Sequence, residues 1–392
     1  MKKLFVICTA ILFTFAFSGL ALAFHDGGVA HCDGCHSMHG GASNGPALQK
    51  GSDASSTCLN CHNGAGLYKI SSADGSNTNE GGDFHWVKDN GYTYIVRKNP
   101  VTFDFNNAGH NTIAADYGIA ADANLTAAPG GSYLAANLTC TSCHDPHGQA
   151  QGGTIGGAAP ISVSGSYGDV PPAGTIAGNY RILYDSNKVG FSEDAPIARA
   201  NSYDGKSTQY GSGMSGWCAN CHGAFYSQSA SSGMHPTDVA VPTVYNSYVA
   251  TGNYTGTVAN AYDPLVPFER GVTTSSADLP DPTDALTAGV GVDGSSQVMC
   301  LSCHRAHASA FSNALRWDMT EAFIAESWTI LDGADASGTP NAAALLPTAA
   351  AKPYYKHGVD LDVAVFDPAG TPFTNGYGHY QRSLCNKCHV QD

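Results

Sequence analysis

A fold of mostly irregular loops, with a few short helices and very short strands, is predicted by three features of this 392-residue chain. Glycine and proline are abundant, at 46 and 19 residues, while only 13% of residues are charged. Stretches such as Gly152–Gly157, Gly165–Gly178 and Ser275–Gly294 carry turn residues without helical or strand periodicity. The third feature is a motif, Cys-x-x-Cys-His, that occurs six times. Composition of this kind borders on disorder, but 43% hydrophobic and 10% aromatic residues argue for a packed chain. So many loops in one compact body need something rigid and apolar to wrap.

The motif supplies it. The thiol pairs Cys32/Cys35, Cys58/Cys61, Cys140/Cys143, Cys218/Cys221, Cys300/Cys303 and Cys385/Cys388 are followed directly by His36, His62, His144, His222, His304 and His389. Two thiols three residues apart can each form a thioether to one haem vinyl, and the next imidazole then faces the iron, which is the attachment signature of haem c. Structural disulfides or zinc sites would not require a histidine after every pair. The expected fold is therefore a multihaem cytochrome c, its loops wrapped around six covalently bound haems.

Taken in chain order, residues 1–23 read as a cleaved secretory signal. Lys2 and Lys3 form its basic start, Leu4 to Phe17 are apolar, and Ala21-Leu22-Ala23 is a small-x-small cleavage site. Cys8, the thirteenth cysteine, would leave with it. Residues 24–392 are expected to form a single hexahaem domain, without a transmembrane segment after signal cleavage. Loss of the two lysines takes the formal charge from −14 to −16, which argues against nucleic acid or an anionic membrane as partner. Motifs begin at 32, 58, 140, 218, 300 and 385. After the close first pair they recur about every 80 residues, without a strong residue-level repeat between the spacers.

Each motif is expected to form a small helical turn. Tyr92–Val96 alternates as a short strand. Asp318–Leu331 is the best helix by pattern: Asp318 and Glu321 resemble a capping box, and Phe323, Ile324, Trp328 and Leu331 share a face. Arg305, Arg382 and Lys387 are candidate partners of haem propionates, or simply solvated charges.

The sixth coordination position of each iron separates substrate chemistry from electron transfer, because an iron held by two imidazoles has no open site. Ten histidines lie outside the motifs: His25, His31, His39, His85, His110, His147, His235, His307, His357 and His379. Three of them, His39, His147 and His307, follow a motif histidine by three residues. So short a link cannot readily route the chain to the opposite face of the same ring, so each is expected to ligate a different haem. His110 and His235 come next. His25 competes with His31, His85, His357 and His379, whose roles stay open.

The chain resembles the filament-forming hexahaem c-type cytochromes of metal-reducing bacteria. The residues that carry the likeness are Phe24-His25-Asp26-Gly27-Gly28-Val29-Ala30 with Cys32–His39, then Gly82–Val96, Gly109–Asn111, Ala128–Gly131 and Cys140–Gly148. Tyr180-Arg181-Ile182-Leu183, Gly213–His222, Cys300–Ala308 and the ending from Tyr380 to His389 complete it. The resemblance implies that the haems stack in an unbroken line, and that all are held by two histidines, the distal set being His25, His39, His110, His147, His235 and His307. It also implies a head-to-tail filament in which His39 ligates the Cys300/Cys303 haem of a neighbouring subunit. The expected function is long-range electron transfer, without catalysis, from upstream periplasmic or outer-membrane cytochromes to extracellular acceptors such as metal oxides or partner cells. The expected place is the cell surface or an extracellular filament. A monomeric electron carrier is the alternative. A nitrite- or hydroxylamine-type reductase is a weaker one, because no motif replaces its histidine by lysine.

Overall fold

The computed structural model describes residues 32–37, 39–41, 48–64, 70–75, 81–88, 92–96, 99–103, 107–146, 183–184, 186, 188–200, 208–227, 234–240, 267–271, 278–279, 295–316, 365–366 and 372–373. The signal segment, His25, His31, His147, His357, His379 and the expected helix over 318–331 lie outside the described residues. So does the whole sixth motif, Cys385, Cys388 and His389, together with Arg382 and Lys387. Five short helices carry the other five motifs: α1 (Cys32–Cys35), α2 (Ala54–His62), α3 (Cys140–Cys143), α4 (Met214–His222) and α5 (Cys300–Cys303). Among the described residues the strands form three antiparallel pairs, β1 (Tyr92–Val96) with β2 (Asn99–Phe103), β3 (Ala198–Ala200) with β4 (Thr208–Tyr210), and β5 (Val365–Phe366) with β6 (Pro372–Phe373). The strand expected at Tyr92–Val96 is present with those bounds. No helix among the described residues is long and apolar enough to cross a membrane.

The motif helices come in two kinds. α1, α3 and α5 are single turns, and the chain leaves each by pairing with a returning segment. Lys50, Tyr184 and Arg316 donate backbone N–H groups to the carbonyls of Cys35, Cys143 and Cys303, at 3.0, 3.0 and 2.8 Å. His36, His144 and His304 bridge Gln49, Leu183 and Leu315 in the same three places. α2 and α4 are longer, and their histidines close the helix.

Local chemistry starts each element. Asp53 caps α2, its carboxylate accepting from Ser56 N–H at 2.7 Å. Ser142 turns back on Thr139 N–H ahead of α3, and Ser302 on Met299 N–H ahead of α5, at 2.9 and 3.1 Å. α4 opens on Gly213, with φ +106°, and draws its cap from elsewhere: Glu269 Oε2 accepts from Gly213 and Met214 N–H, both at 3.0 Å.

Two small apolar clusters are buried beside these helices. One holds Leu59, Phe84, Ala114 and Ile119 under α2. The other gathers Leu183, Tyr210, Met214, Met299 and Leu301, with Cys143, Trp217 and Cys218 packed against it. Close backbone approaches lock the segments between: a Cβ on Gly82 would meet Ala308 O at 1.8 Å, and one on Gly109 would meet His307 O at 2.2 Å.

Candidate haem centres

Along one helical turn, residues three apart lie on one face, so α2 to α5 each present two cysteines side by side. The turns also sit against one another. Cys140 N–H donates to Ser55 Oγ at 2.9 Å, and Cys300 N–H to Ser215 Oγ at 3.2 Å. The Cys58 and Cys140 thiols are hydrogen-bonded to each other, as are those of Cys218 and Cys300. Cys143 lies near Cys221. As a free thiol, Cys143 is pushed by burial up to about 12, the wrong direction for a reactive thiolate.

The two cysteines of the second motif are not placed alike. Cys58 is half-buried where α2 meets α3, whereas Cys61 is exposed, one turn further along α2 and beyond that contact. Cys61 acts on the Tyr117 phenol from that exposed position. Cys388 belongs to the sixth motif, outside the described residues, so its pairing with Cys385 stands on the motif alone. Among the described residues, no group of three or more His, Cys, Asp or Glu is placed to hold a free metal ion.

The imidazoles are fixed through one nitrogen. His110 Nδ1 meets Ala306 O at 2.5 Å, His222 Nδ1 meets Pro129 O at 2.8 Å, and His304 Nδ1 meets Asn313 O at 2.7 Å. His235 Nδ1 meets Pro236 O at 2.9 Å. A carbonyl can only accept, so the proton resides on Nδ1 and Nε2 keeps its lone pair for a metal. Burial lowers the pKa of His110 and His304 below the ordinary value, which keeps both rings neutral.

Two rings face two others across a gap. The centroids of His110 and His222 are 5.9 Å apart, and those of His144 and His307 are 6.4 Å apart. Two metal–nitrogen bonds of about 2 Å, plus about 1 Å from each nitrogen to its ring centre, come to about 6 Å. Both centroid distances match the separation expected of two imidazoles on one iron. His307 follows His304 by three residues but faces His144.

His110 reaches its place because His110 N–H donates to His307 O at 2.8 Å and His307 N–H to Gly81 O at 2.7 Å. Phe84 stacks on His307 at 4.8 Å. His39 and His235 are exposed, whereas His85 stands edge-on to Trp86 at 5.0 Å. Arg305 is buried beside its motif, its backbone N–H on Ala314 O at 2.7 Å. Arg316 and Arg270 are buried as well, and Arg316 Nε donates to Leu301 O at 2.7 Å. Lys188 closes α3 from outside, its ammonium 3.9 Å from the Tyr184 ring centre and donating to Thr141 O at 3.2 Å and to Ser142 O.

Ser55, Ser215, Ser142 and Ser302 escaped sequence reasoning, although a signal for them exists. Residues 55–62 and 215–222 both read Ser-x-x-Cys-x-Asn-Cys-His, and 140–147 and 300–307 both read Cys-x-Ser-Cys-His-x-x-His. Each pair is offset by 160 residues. The repeat is confined to the motif flanks, because only there do identical contacts have to be made.

No known family profile matches the chain. It is 39% identical over 433 aligned residues to C-type cytochrome OmcS of Geobacter sulfurreducens, covering 95% of both chains. A cryo-electron-microscopy structure of the OmcS nanowires from that organism superposes with a TM-score of 0.70 at 33% identity, over 94% of this chain and 100% of that one. A second structure, of the outer membrane cytochrome S filament from the same organism, gives 0.66 at 34% identity with the same coverage.

Proposed function

The chain belongs to the OmcS family of c-type cytochromes, and from that premise we propose that it is a subunit of an extracellular filament that carries electrons through six haems, each held by two histidines. The observation that carries this reading is the pair of imidazole gaps, His110–His222 at 5.9 Å and His144–His307 at 6.4 Å. Bound haem supplies a one-electron iron couple. The protein's part is to hold neighbouring irons close, to fill both axial positions so that substrates are excluded, and to keep each imidazole neutral and oriented through its Nδ1–H. An electron-transfer role without catalysis follows from filled positions. We infer a cleaved signal over 1–23, one haem-bearing unit over 24–392, and upstream cytochromes as donors. Cys61 and Cys388 complete the thioether pairs of the second and sixth haems in this reading.

A simple rule pairs the ligands. The histidine three residues beyond one single-turn motif serves the previous single-turn motif, as His307 faces His144. Applied once more, the rule gives His147 to His36. His39 has no earlier motif in its own chain, and His304 has no later single-turn motif to serve it. Joining these two ends across a subunit boundary places His39 on the Cys300/Cys303 haem of the next copy. For the longer helices, His110 precedes α3 and faces His222. The same displacement gives His25 to His62 and His235 to His389.

The exposed position of His39 suits this role. Replacing His39 by Ala should leave one high-spin haem per chain and abolish filaments in electron micrographs of the secreted material. Filaments with unchanged low-spin spectra would refute the trans ligation. Monomers from the unaltered protein would favour the alternative of a monomeric periplasmic or outer-surface carrier, and mass spectrometry showing fewer than six covalent haems would refute the count.

A further inference from the structure

Next to the α4–α5 contact lies a buried group that electron transfer, as derived so far, does not use. Glu269 is 0% exposed. Its Oε2 accepts the two N–H groups that open α4, while Oε1 is sealed from solvent and receives no hydrogen bond. Asp238 is arranged in the same way: Oδ2 accepts from Gly216 N–H at 3.2 Å, and Oδ1 is sealed and has no donor. Both carboxyl groups sit on the first turn of α4, at Gly213, Met214 and Gly216, and Asp238 acts on Glu269 there. Two carboxylates can only accept, so a hydrogen bond between them forms only while one of them carries a proton.

The pair is firmly placed. Asp238 N–H donates to Val298 O at 3.1 Å, and Glu269 exchanges both backbone hydrogen bonds with Gln297, at 3.1 and 2.8 Å. The Tyr226 phenol interacts with Asp238, and Glu193 lies with both of them beside Gly216. Arg270 is buried at the next position, and Cys218 on α4 and Cys300 on α5 lie in the field of Asp238.

We propose that Asp238 and Glu269 form a proton-sharing pair that takes up one proton when the neighbouring haems, those on Cys218/Cys221 and Cys300/Cys303, receive an electron. This rests on the haem assignment above. An electron arriving from the upstream donor reduces one ferric iron to ferrous, and a solvent proton adds to the dicarboxylate, so the local net charge is unchanged. When the electron moves on, the proton returns to solvent. Burial, and then the adjacent Asp238, push the Glu269 carboxyl up to about 10, so the pair holds its proton at neutral pH unless a nearby positive charge opposes it. A ferric iron supplies that charge and a ferrous iron removes it. The proton therefore binds more tightly in the reduced state, and the potential falls as pH rises wherever the reduced form holds the proton and the oxidised form does not.

The test is spectroelectrochemical titration of the secreted haem-loaded protein between pH 5 and 9. In the wild type one component should fall with pH by up to about 59 mV for each tenfold drop in proton concentration. In Glu269→Gln that slope should be lost, while any slope from propionates persists. Redox difference infrared spectra of the wild type should also show a protonated-carboxyl band that shifts in heavy water and is absent from the variant. Equal slopes in the two proteins, or no such band in the wild type, would overturn the proposal. Should the Gln variant not fold, Asp238→Asn and the wild-type spectrum decide it. Failure of the haem reading would show separately, as missing haem absorbance before any titration begins.

Discussion

His110 and His222 stand 112 positions apart in sequence, and His144 and His307 stand 163 apart, yet each pair closes to within about one iron and two bonds. Replacing His307 by Ala should therefore open the iron on Cys140/Cys143 and leave that of its own motif with His304 and its other ligand. Electron paramagnetic resonance should show one high-spin centre, and a density map should place it at the third motif. His110→Ala should do the same at the fourth. At this scale the letters of the sequence were sufficient for the cysteines and their histidines, because attachment is a local matter. The unequal burial of Cys58 and Cys61 was not legible, since it is set by where α3 lands on α2. Pairing was hidden too, because it depends on how distant loops meet. Glu269 was invisible for a related reason: a single glutamate in a loop has no periodicity, and its burial is decided by α4, more than fifty residues earlier.

Elements differ in where their ends are satisfied. α2 carries its own cap, and Asp53 also accepts from Ala115 N–H at 2.7 Å, tying the helix to the turn over 115–117. Asp53→Ala should cost about 1 kcal/mol for the cap, with a further loss at Ala115. It should be read as a lower denaturation midpoint and faster amide exchange in α2. α4 has no such residue before it, so its beginning could not be recognised from sequence. The hairpin strand Tyr92–Val96 could, because alternation is a property of the strand alone. The helix expected over 318–331 lies outside the described residues.

Among the described residues, the apolar clusters under α2 and α4 are small, and motif cysteines of different helices lie side by side. A chain of this composition cannot bury enough of its own surface to offset the entropy of ordering so many loops. Made without haem attachment, it should lack a near-ultraviolet circular dichroism signal and be cleaved rapidly by protease. The loaded protein should resist both. The loop-rich architecture was readable from glycine, proline and the six motifs together, since a shortage of core implies a rigid filler.

The 160-residue offset between the α2–α3 and α4–α5 contacts has a use beyond this molecule. Both copies bring their own serine, their own meeting of cysteines and their own outgoing histidine. Tandem duplication is the economical origin of such a design, and it leaves a cut-and-paste module. Splicing in a third copy should yield a longer conductor with two extra redox stations and unaltered ends, still able to polymerise with its parent.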